Sequence, residues 1–331
     1  MSLFLRHLVL HYPLIMTNIH FWKTLKKPII GLSPMDGYSD SAFRRVCKAV
    51  NPHIVTITEF TSADGIYHNA KKLMRKLAFD PSEQPIIAQI FGKNTETFIA
   101  AAKVVEDMGF SGIDINMGCP SKKVVRSEHG VALRRNLDHA FLLIETLAKA
   151  TSLPVSVKTR LGWENADDLV QFGIGAQNAG AQMICIHGRT YLEPYNVPAQ
   201  WDPIYQLKHA VSIPILGNGG ITCVPHGMSL LQNLDGFLIG QATFGNPWVF
   251  DHSGQLPDFK DKVALILQHA HWLVEDKGLS VGMKEIRKHL VQYIKGIPGA
   301  KSYRPQLVRV NSISEIKQIL DTLLTTETEY Q

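Results

Sequence analysis

Two glycine-rich segments follow neighbouring predicted strands in the second half of the chain. They read PILGNGGI (214–221) and GFLIGQATFGNPW (236–248). Glycine leaves the backbone N–H groups uncovered, so that an anion can approach them closely. Two such loops on adjacent strands favour a phosphate-binding site, although the glycines could also serve only to make tight turns.

Lys158 lies in the segment VSVKTR (155–160), near the end of another predicted strand. A lysine buried beside a planar ring can stabilise negative charge on it, as at nitrogen 1 and the neighbouring carbonyl of a reduced flavin. Gln89 can hydrogen-bond the same pyrimidine edge, because its amide both donates and accepts. A salt bridge with a neighbouring carboxylate is the alternative role for Lys158.

Cys119 lies in DINMGCPSKKV (114–124), directly after the predicted fourth strand. Gly118 and Pro120 favour a tight loop, which would hold the thiol at a strand end and outside any helix. A free thiol has a pKa of about 8.5, so Cys119 is a candidate proton donor, or alternatively a small buried residue. The other cysteines lie in helical or strand contexts and are predicted core residues: Cys47, Cys185 and Cys223.

Short β-branched segments alternate with longer helical segments between residues 29 and 240. The segments that predict strands are Ile29–Ser33, Ile54–Thr58, Pro85–Phe91, Gly112–Asn116, Pro154–Lys158, Gln182–His187, Pro214–Gly217 and Gly236–Ile239. Their number and alternation predict a (β/α)8 TIM barrel, whose strand ends meet on the face where barrel enzymes place their active sites. A doubly wound open sheet is the alternative, but no GxGxxG motif follows the first strand.

After residue 258 the pattern predicts helices only, over Lys260–Asp276, Gly282–Ile294, Pro305–Val310 and Ser314–Leu324. We therefore predict three parts: an N-terminal extension (1–27), the barrel (28–252) and a small all-helical C-terminal domain (253–331). The extension is either a start-site artefact or an added strand that closes the floor of the barrel.

Composition and charge narrow the class of protein. The chain of 331 residues carries a net charge of +5 and has a pI of about 8.9, which suits a nucleic-acid partner without requiring one. Its four cysteines show no CxxC spacing, which predicts reduced thiols, a cytoplasmic protein and no metal site. Arg6, His7, His11 and Pro13 interrupt the apolar N-terminus, so we expect neither a signal peptide nor a membrane helix. We expect a monomer.

Several motifs together resemble those of the tRNA-dihydrouridine synthases, from about Pro28 to Ala300. They are SPMDGYSDSAFR (33–44), TEF (58–60), AQIFG (88–92), DINMGCPSKKV (114–124), HGVALRRN (129–136), VKTRLGW (157–163), HGRT (187–190), GNGGI (217–221), GNPWVF (245–250) and RKHLVQYIKGIPGA (287–300). The resemblance implies that bound FMN, reduced by NADPH or NADH, passes hydride to carbon 6 of a uridine in tRNA. Cys119 would then protonate carbon 5.

The resemblance also implies ligand roles by position. Flavin-binding residues would be Pro34, Met35, Asp36, Gln89, Lys158, His187, Asn218, Gly219, Gly220, Gly240 and Gln241. Asn116 and Arg189 would contact uracil or flavin.

A basic cluster in the predicted helical domain is the candidate RNA-binding surface. Residues 284–309 contain one acid, Glu285, and the bases Lys284, Arg287, Lys288, Lys295, Lys301, Arg304 and Arg309. These side chains, Arg287 and Lys288 in particular, are expected to contact backbone phosphates. A solvated helix face is the alternative.

One departure and two other functions stay open. Gln241 stands where the family usually has arginine, and losing that charged phosphate partner could weaken FMN binding by about 1.5–3 kcal/mol. A flavin barrel of the dihydroorotate type, acting on a free pyrimidine, would not need the basic cluster. A non-catalytic RNA-binding relative would not need Cys119, Lys158 or Gln89.

Overall fold

Parallel strands form the centre of the molecule in a computed structural model, which describes residues 21–329. They are β1 (Ile29–Leu32), β2 (Thr56–Ile57), β3 (Thr61–Ser62), β4 (Ile86–Phe91), β5 (Gly112–Met117), β6 (Val155–Arg160), β7 (Met183–His187), β8 (Ile215–Asn218) and β9 (Gly236–Ile239). The order β1-β9-β8-β7-β6-β5-β4-β2 runs once around a ring. The ring closes where the Leu32 N–H donates to the Val55 carbonyl and the Val55 N–H donates to the Ile30 carbonyl, both at 2.9 Å. The predicted barrel is confirmed.

The second predicted strand is interrupted. Only Thr56–Ile57 pairs with the start of β4, and β3 pairs further along the same edge, with Thr61 opposite Ile90. Between them, the Gln89 N–H donates to the side-chain hydroxyl of Thr58 at 3.0 Å. A side chain therefore replaces a backbone acceptor at this point, and the strand bends away before pairing again.

Helices cover the outside of the barrel and follow it in the chain. They are α1 (Phe21–Thr24), α2 (Ser41–Val50), α3 (Ala63–Tyr67), α4 (Lys71–Met74), α5 (Thr95–Asp107), α6 (Lys122–Arg126), α7 (Leu137–Ala150), α8 (Leu169–Asn178), α9 (Asp202–Ala210), α10 (Val224–Ser229), α11 (Phe259–Lys277), α12 (Leu279–Tyr293), α13 (Arg304–Leu307) and α14 (Ile313–Glu329). Short 3-10 turns also occur at Arg75–Leu77, Pro81–Glu83, Gly130–Arg135, Gln241–Thr243, Pro247–Phe250 and Ala300–Tyr303. Polar caps begin the two long barrel helices: the side chain of Asn94 accepts from Glu96 N–H (2.9 Å), and that of Asn136 accepts from His139 N–H (3.1 Å).

The C-terminal helices share an apolar core of their own. Ile266 and Leu273 of α11 pack in one cluster with Ile286 and Leu290 of α12 and with Leu320 of α14, all fully buried. The predicted helical C-terminal region is thus confirmed. The domain boundaries at residues 27 and 252 stay predictions.

The helical region packs against α2 of the barrel. Arg45 donates to Asp276 at 2.6 Å, and the ring of Phe43 stacks on His289 with 5.3 Å between centroids. His269 and His289 are both buried, and burial lowers the pKa of His269 to about 4 and that of His289 well below its usual range. Both imidazoles are therefore neutral at neutral pH, and the interface buries aromatic surface without an unpaired imidazolium.

One side chain of the N-terminal segment closes the lower end of the barrel. Trp22, which is 1% exposed, packs with barrel-interior side chains from the first halves of the strands, among them Ile29, Ile87 and Met183. Residues 21–24 are helical, so this part of the extension is not the added strand that we considered. Residues 1–20 of the extension lie outside the described part of the chain.

Trp22→Ala should lower the free energy of unfolding by about 3–5 kcal/mol, because it leaves a large cavity under the barrel. Urea unfolding of the variant measures this loss. Phe21→Ala is the matched control, since Phe21 is only half-buried at the edge of the same cluster, and its loss should be clearly smaller. Equal losses for both variants would contradict a specific role for Trp22.

Candidate active site

A cavity of about 1050 Å³ opens at the carboxyl ends of the barrel strands. Loops after β1, β5, β6, β7, β8 and β9 contribute to its wall. Of the residues singled out from sequence, the wall contains Pro34, Met35, Asp36, Asn116, Cys119, Lys158, His187, Arg189, Asn218, Gly219, Gly220, Gly240 and Gln241. The fold thus brings together side chains that lie up to 207 positions apart, between Pro34 and Gln241.

The glycine loops form one side of this cavity. Gly219 and Gly220 have φ values of +113° and +74°, a region that favours glycine. Within residues 21–329, the N–H groups of these two glycines donate to no protein acceptor. Gly240 faces them from the end of β9, where the 3-10 turn Gln241–Thr243 begins. Uncovered N–H groups at this position fit a phosphate group.

Lys158 lines the cavity from β6. Its ammonium donates to Oδ1 of Asn218 at 3.0 Å, and Nδ2 of Asn218 donates to the Leu238 carbonyl at 2.8 Å. The second bond orients the amide so that its oxygen faces the lysine. Within the described residues no carboxylate forms an ion pair with Lys158, and burial lowers its pKa. Because its partner Asn218 is neutral, the Lys158 ammonium can stabilise negative charge on a ring bound next to it.

Cys119 lies in the cavity wall in the loop after β5, next to the end of β6, and side chains of these two strands hold the loop. Oδ1 of Asn116 accepts from Cys119 N–H at 2.9 Å, and Nε of Arg160 donates to the Gly118 carbonyl at 3.0 Å. Burial raises the pKa of the Cys119 thiol, and the nearby cations Arg160 and Lys158 offset part of that rise. The thiol is therefore protonated at neutral pH, as a proton donor must be.

Gln89 differs from the other predicted ligands in its position. It is fully buried and lies outside the cavity wall. Its Nε2 donates to Asp114 at 2.8 Å, and its Oε1 accepts from Nδ2 of Asn116 at 2.9 Å. Each end of the amide thus has a protein partner, and contact between Gln89 and a flavin stays a prediction.

His187 and Arg189 form a pair at the end of β7. Nη1 of Arg189 donates to Nε2 of His187 at 2.9 Å, and Nε of Arg189 donates to the Val197 carbonyl at 2.6 Å. Burial, together with the nearby cations Lys158, Arg160 and Arg189, lowers the pKa of His187 to about 2. The imidazole is neutral, so it can serve as a polar ligand but not as a general acid at neutral pH.

Arg160 and Tyr195 are among the residues of the cavity wall that were not singled out from the sequence. Arg160 donates to the carbonyls of Gly118 and Thr190 and to the hydroxyl of Tyr195, at 3.0, 2.9 and 3.3 Å. Tyr195 is 52% exposed at the rim, an unusual position for an aromatic ring. Arg160 could have been found, because it follows Lys158 by two positions and so lies on the same face of β6. Tyr195 lies in a loop whose sequence carries no such signal.

The two predicted RNA contacts Arg287 and Lys288 lie in α12, outside the cavity, and both have protein partners. Arg287 donates to the Val310 carbonyl and to Asn311, and Lys288 donates to the Gly37 carbonyl. The Lys288 ammonium also lies 5.3 Å from the ring centre of Tyr38. Their contact with RNA stays a prediction.

No helix within residues 21–329 is both long and apolar enough to cross a membrane. No group of three or more His, Cys, Asp or Glu side chains there is arranged to hold a metal ion.

Fold and cavity together define a (β/α)8-barrel protein whose site at the strand ends combines an anion cradle, a half-buried lysine and a neutral thiol. A family model described as "Dihydrouridine synthase (Dus)" matches residues 31–329. The chain belongs to this dihydrouridine synthase family.

Relatives from three bacteria match nearly the whole chain. "Probable tRNA-dihydrouridine synthase 1" of Synechocystis sp. is 35% identical, over 89% of this chain and 86% of the relative. "Probable tRNA-dihydrouridine synthase" of Rickettsia typhi is 32% identical, over 87% and 91%. "tRNA-dihydrouridine synthase B" of Pseudomonas putida is 33% identical, over 88% and 89%.

The rate at which iodoacetamide alkylates Cys119 should rise at a higher pH than it does for a free cysteine, because burial raises the pKa of this thiol. The midpoint of the rate against pH, followed by mass spectrometry of the Cys119 peptide, should lie above about 8.5. A Cys119→Ser variant identifies the signal. A midpoint at or below that of a free cysteine peptide would contradict the neutral thiol.

Proposed function

We propose that this protein reduces the carbon 5–carbon 6 double bond of specific uridines in tRNA, giving 5,6-dihydrouridine. FMN would occupy the cavity, and NADPH or NADH would be the reductant. The observation that carries the proposal is the position of Cys119: a half-buried thiol faces the same cavity as Lys158 and the glycine cradle. Membership of the family and the names of the relatives support the choice of reaction and of RNA.

The residues of the cavity fit a flavin mononucleotide. The phosphate would lie against Asn218, Gly219, Gly220, Gly240 and Gln241. The ring would lie near Pro34, Met35, Asp36, Lys158 and His187, with Gln89 below. Bound there, FMN would supply a hydride to carbon 6 of the uracil. Lys158 would hold a positive charge next to the pyrimidine edge of the ring.

Cys119 would complete the reaction by proton transfer. Its Sγ–H bond breaks, the proton goes to carbon 5 of the uracil, and the thiolate left behind lies near Arg160 and Lys158. These two cations lower the free energy of the thiolate as it forms. Solvent then restores the proton. One hydride and one proton together saturate the double bond.

Extraction of the base would require groups that replace its stacking and pairing partners. Asn116 and Arg189 are proposed to contact the uracil, and Arg160 lies beside them in the wall. The exposed ring of Tyr195, held by the Arg160 guanidinium, offers a surface for stacking. Such contacts explain why an exposed tyrosine is held in place by a buried arginine.

The RNA would bind across exposed cations that have no carboxylate partner within residues 21–329. On the helical region these are Lys284, Lys295, Lys301, Arg304 and Arg309, and at the barrel mouth Lys122, Lys123, Arg126 and Arg135. Because Arg287 and Lys288 already bond protein carbonyls, we rank the unpaired cations ahead of them. We also propose a monomer in the cytoplasm, in keeping with four free cysteines.

Cys119→Ala should lower the rate of dihydrouridine formation by at least about 100-fold, because it removes the proton donor and no other group. The bound flavin, seen as yellow colour, and the affinity for tRNA should be unchanged. Mass spectrometry of tRNA nucleosides measures the product. Unchanged turnover would remove Cys119 from the mechanism, and a colourless wild-type protein would favour a non-catalytic RNA-binding role.

Charge reversal at Lys301 and Arg304 should weaken tRNA binding and lower the slope of log affinity against log salt by about 1 per lost phosphate contact. Lys317→Glu is the matched control, since Lys317 is exposed on α14 and already paired with Asp321 at 2.5 Å. Binding titrations at several salt concentrations make the measurement. An equal effect in the control would mean that net charge, and not this surface, attracts the RNA.

A further inference from the structure

A continuous chain of buried side chains runs beneath the cavity and ends on the Cys119 loop. Ser156 Oγ donates to Asp114 at 2.6 Å, and Gln89 Nε2 donates to the other oxygen of Asp114 at 2.8 Å. Nδ2 of Asn116 donates to Oε1 of Gln89 at 2.9 Å, and Oδ1 of Asn116 accepts from Cys119 N–H at 2.9 Å. Asp114, Gln89 and Ser156 are fully buried, so water does not compete for these bonds.

The two ends of this row of hydrogen bonds, the Asp114 carboxylate and the N–H groups of the Cys119 loop, both require the same orientation of the Gln89 and Asn116 amides. An ionised carboxylate only accepts, so it makes the Gln89 amide donate and present its oxygen to Asn116. Asn116 must then donate to Gln89, which leaves its own oxygen for the backbone. The N–H groups of Gly118 and Cys119 only donate, at 3.2 and 2.9 Å from that oxygen. Neither amide can rotate by 180° without breaking bonds at both of its ends.

We propose that Asp114 is a positioning residue for the reaction: through Gln89 and Asn116 it fixes the direction of both amides and so holds the Cys119 loop in place. The proposal rests on the proposed function for its effect on catalysis. Asp114 itself lies outside the cavity wall and touches no part of the reacting groups.

Neighbouring strands supply the geometry for this role. Asp114 and Asn116 lie on β5, Gln89 pairs in register with Asp114 from β4, and Ser156 pairs with Asp114 from β6. The hydrogen-bonded side chains therefore belong to three neighbouring strands, and only the last bond reaches a loop. A displacement of the thiol by about 1 Å can cost about 100-fold in rate, so the direction of two amides is enough to matter.

The decisive variants are Asp114→Ala and Asp114→Asn. Alanine leaves Nε2 of Gln89 without an acceptor. Asparagine can still accept from Gln89 through its oxygen, while its amide donates to Ser156 Oγ. Ser156→Ala is a milder variant that removes one bond and is expected to fold. Thr56→Val is the matched control, because it removes one buried bond, to the Glu83 carbonyl at 2.8 Å, from another strand.

The first readout follows the flavin after chemical reduction with dithionite. Reduced holoenzyme is mixed anaerobically with tRNA, and reoxidation of the flavin is timed. Asp114→Ala should slow this step by about 10- to 100-fold with an unchanged KM for tRNA, and Ser156→Ala by less. Asp114→Asn should restore the rate to within about threefold of the wild type, and Thr56→Val should not change it.

The second readout does not depend on turnover. Iodoacetamide labels Cys119 and Cys223 in the same sample of holoenzyme. Cys223 is also only partly buried and takes no part in the hydrogen bonds around Asp114, so it serves as the internal reference. The ratio of the two rates should change severalfold in Asp114→Ala and stay constant in Asp114→Asn and Thr56→Val.

The outcomes separate this proposal from the proposed function. Folded Asp114→Ala protein with a wild-type rate and a wild-type labelling ratio would overturn the positioning role. If flavin reoxidation is as slow in Asp114→Asn as in Asp114→Ala, the proposal is also overturned. The charge of Asp114, and not the orientation of the amides, would then determine the rate. A wild-type enzyme that fails to reduce tRNA would refute the proposed function, while the labelling ratio would still decide whether Asp114 positions Cys119.

Discussion

The pair of hydrogen bonds between β1 and Val55 closes the sheet, and the geometry of the cavity depends on that closure. An open sheet would leave the loop after β1 far from the loops after β5 and β6. Pairing of β1 with β9 places Met35 beside Gly240, and closure brings the loop after β1 to the same cavity as Cys119. Because all strands are parallel, every loop at this face follows a carboxyl end. Trp22 fills the opposite end of the barrel, where packing stabilises the fold, while the carboxyl ends carry the cavity.

Closure also creates a problem, because it buries polar side chains in the middle of the barrel. Gln89, Asp114 and Ser156 have no access to water, and an unpaired polar group there would cost about 1–3 kcal/mol. They satisfy one another: burial raises the pKa of Asp114 to about 6, and its hydrogen bonds with Ser156 and Gln89 offset part of the effect of burial. The lower half of the interior, by contrast, is apolar around Trp22. The position of a polar layer just below the cavity is what allows strand geometry to be transmitted to the loop of Cys119.

The strand repeat and the polar strand ends could be predicted because each is a local property of the sequence. The strands Ile86–Phe91 and Gly112–Met117 are buried along almost their whole length, which their short runs rich in isoleucine indicate, and the glycine pair Gly219-Gly220 marks the cradle. Partner choice could not be predicted. Nothing in the local sequence shows that Gln89 bonds to Asp114, that Lys288 bonds to Gly37, or that Tyr195 lies on the cavity rim. These contacts depend on the register between strands and on the docking of α12, which are set by packing across the whole chain.

One short loop, residues 35–38, contacts both the cavity and the helical region. Met35 and Asp36 line the cavity, while the next two residues contact α12: the Gly37 carbonyl accepts from Lys288, and the ring of Tyr38 packs edge-on against His289 with 5.6 Å between centroids. A displacement of α12 would therefore move the cavity wall. The neutral imidazoles behind this loop add no charge that a change near neutral pH could alter. The angle between the helical surface and the cavity is thus held by packing, and packing of this kind is what would let a rigid RNA present one uridine, and not its neighbours, to the thiol.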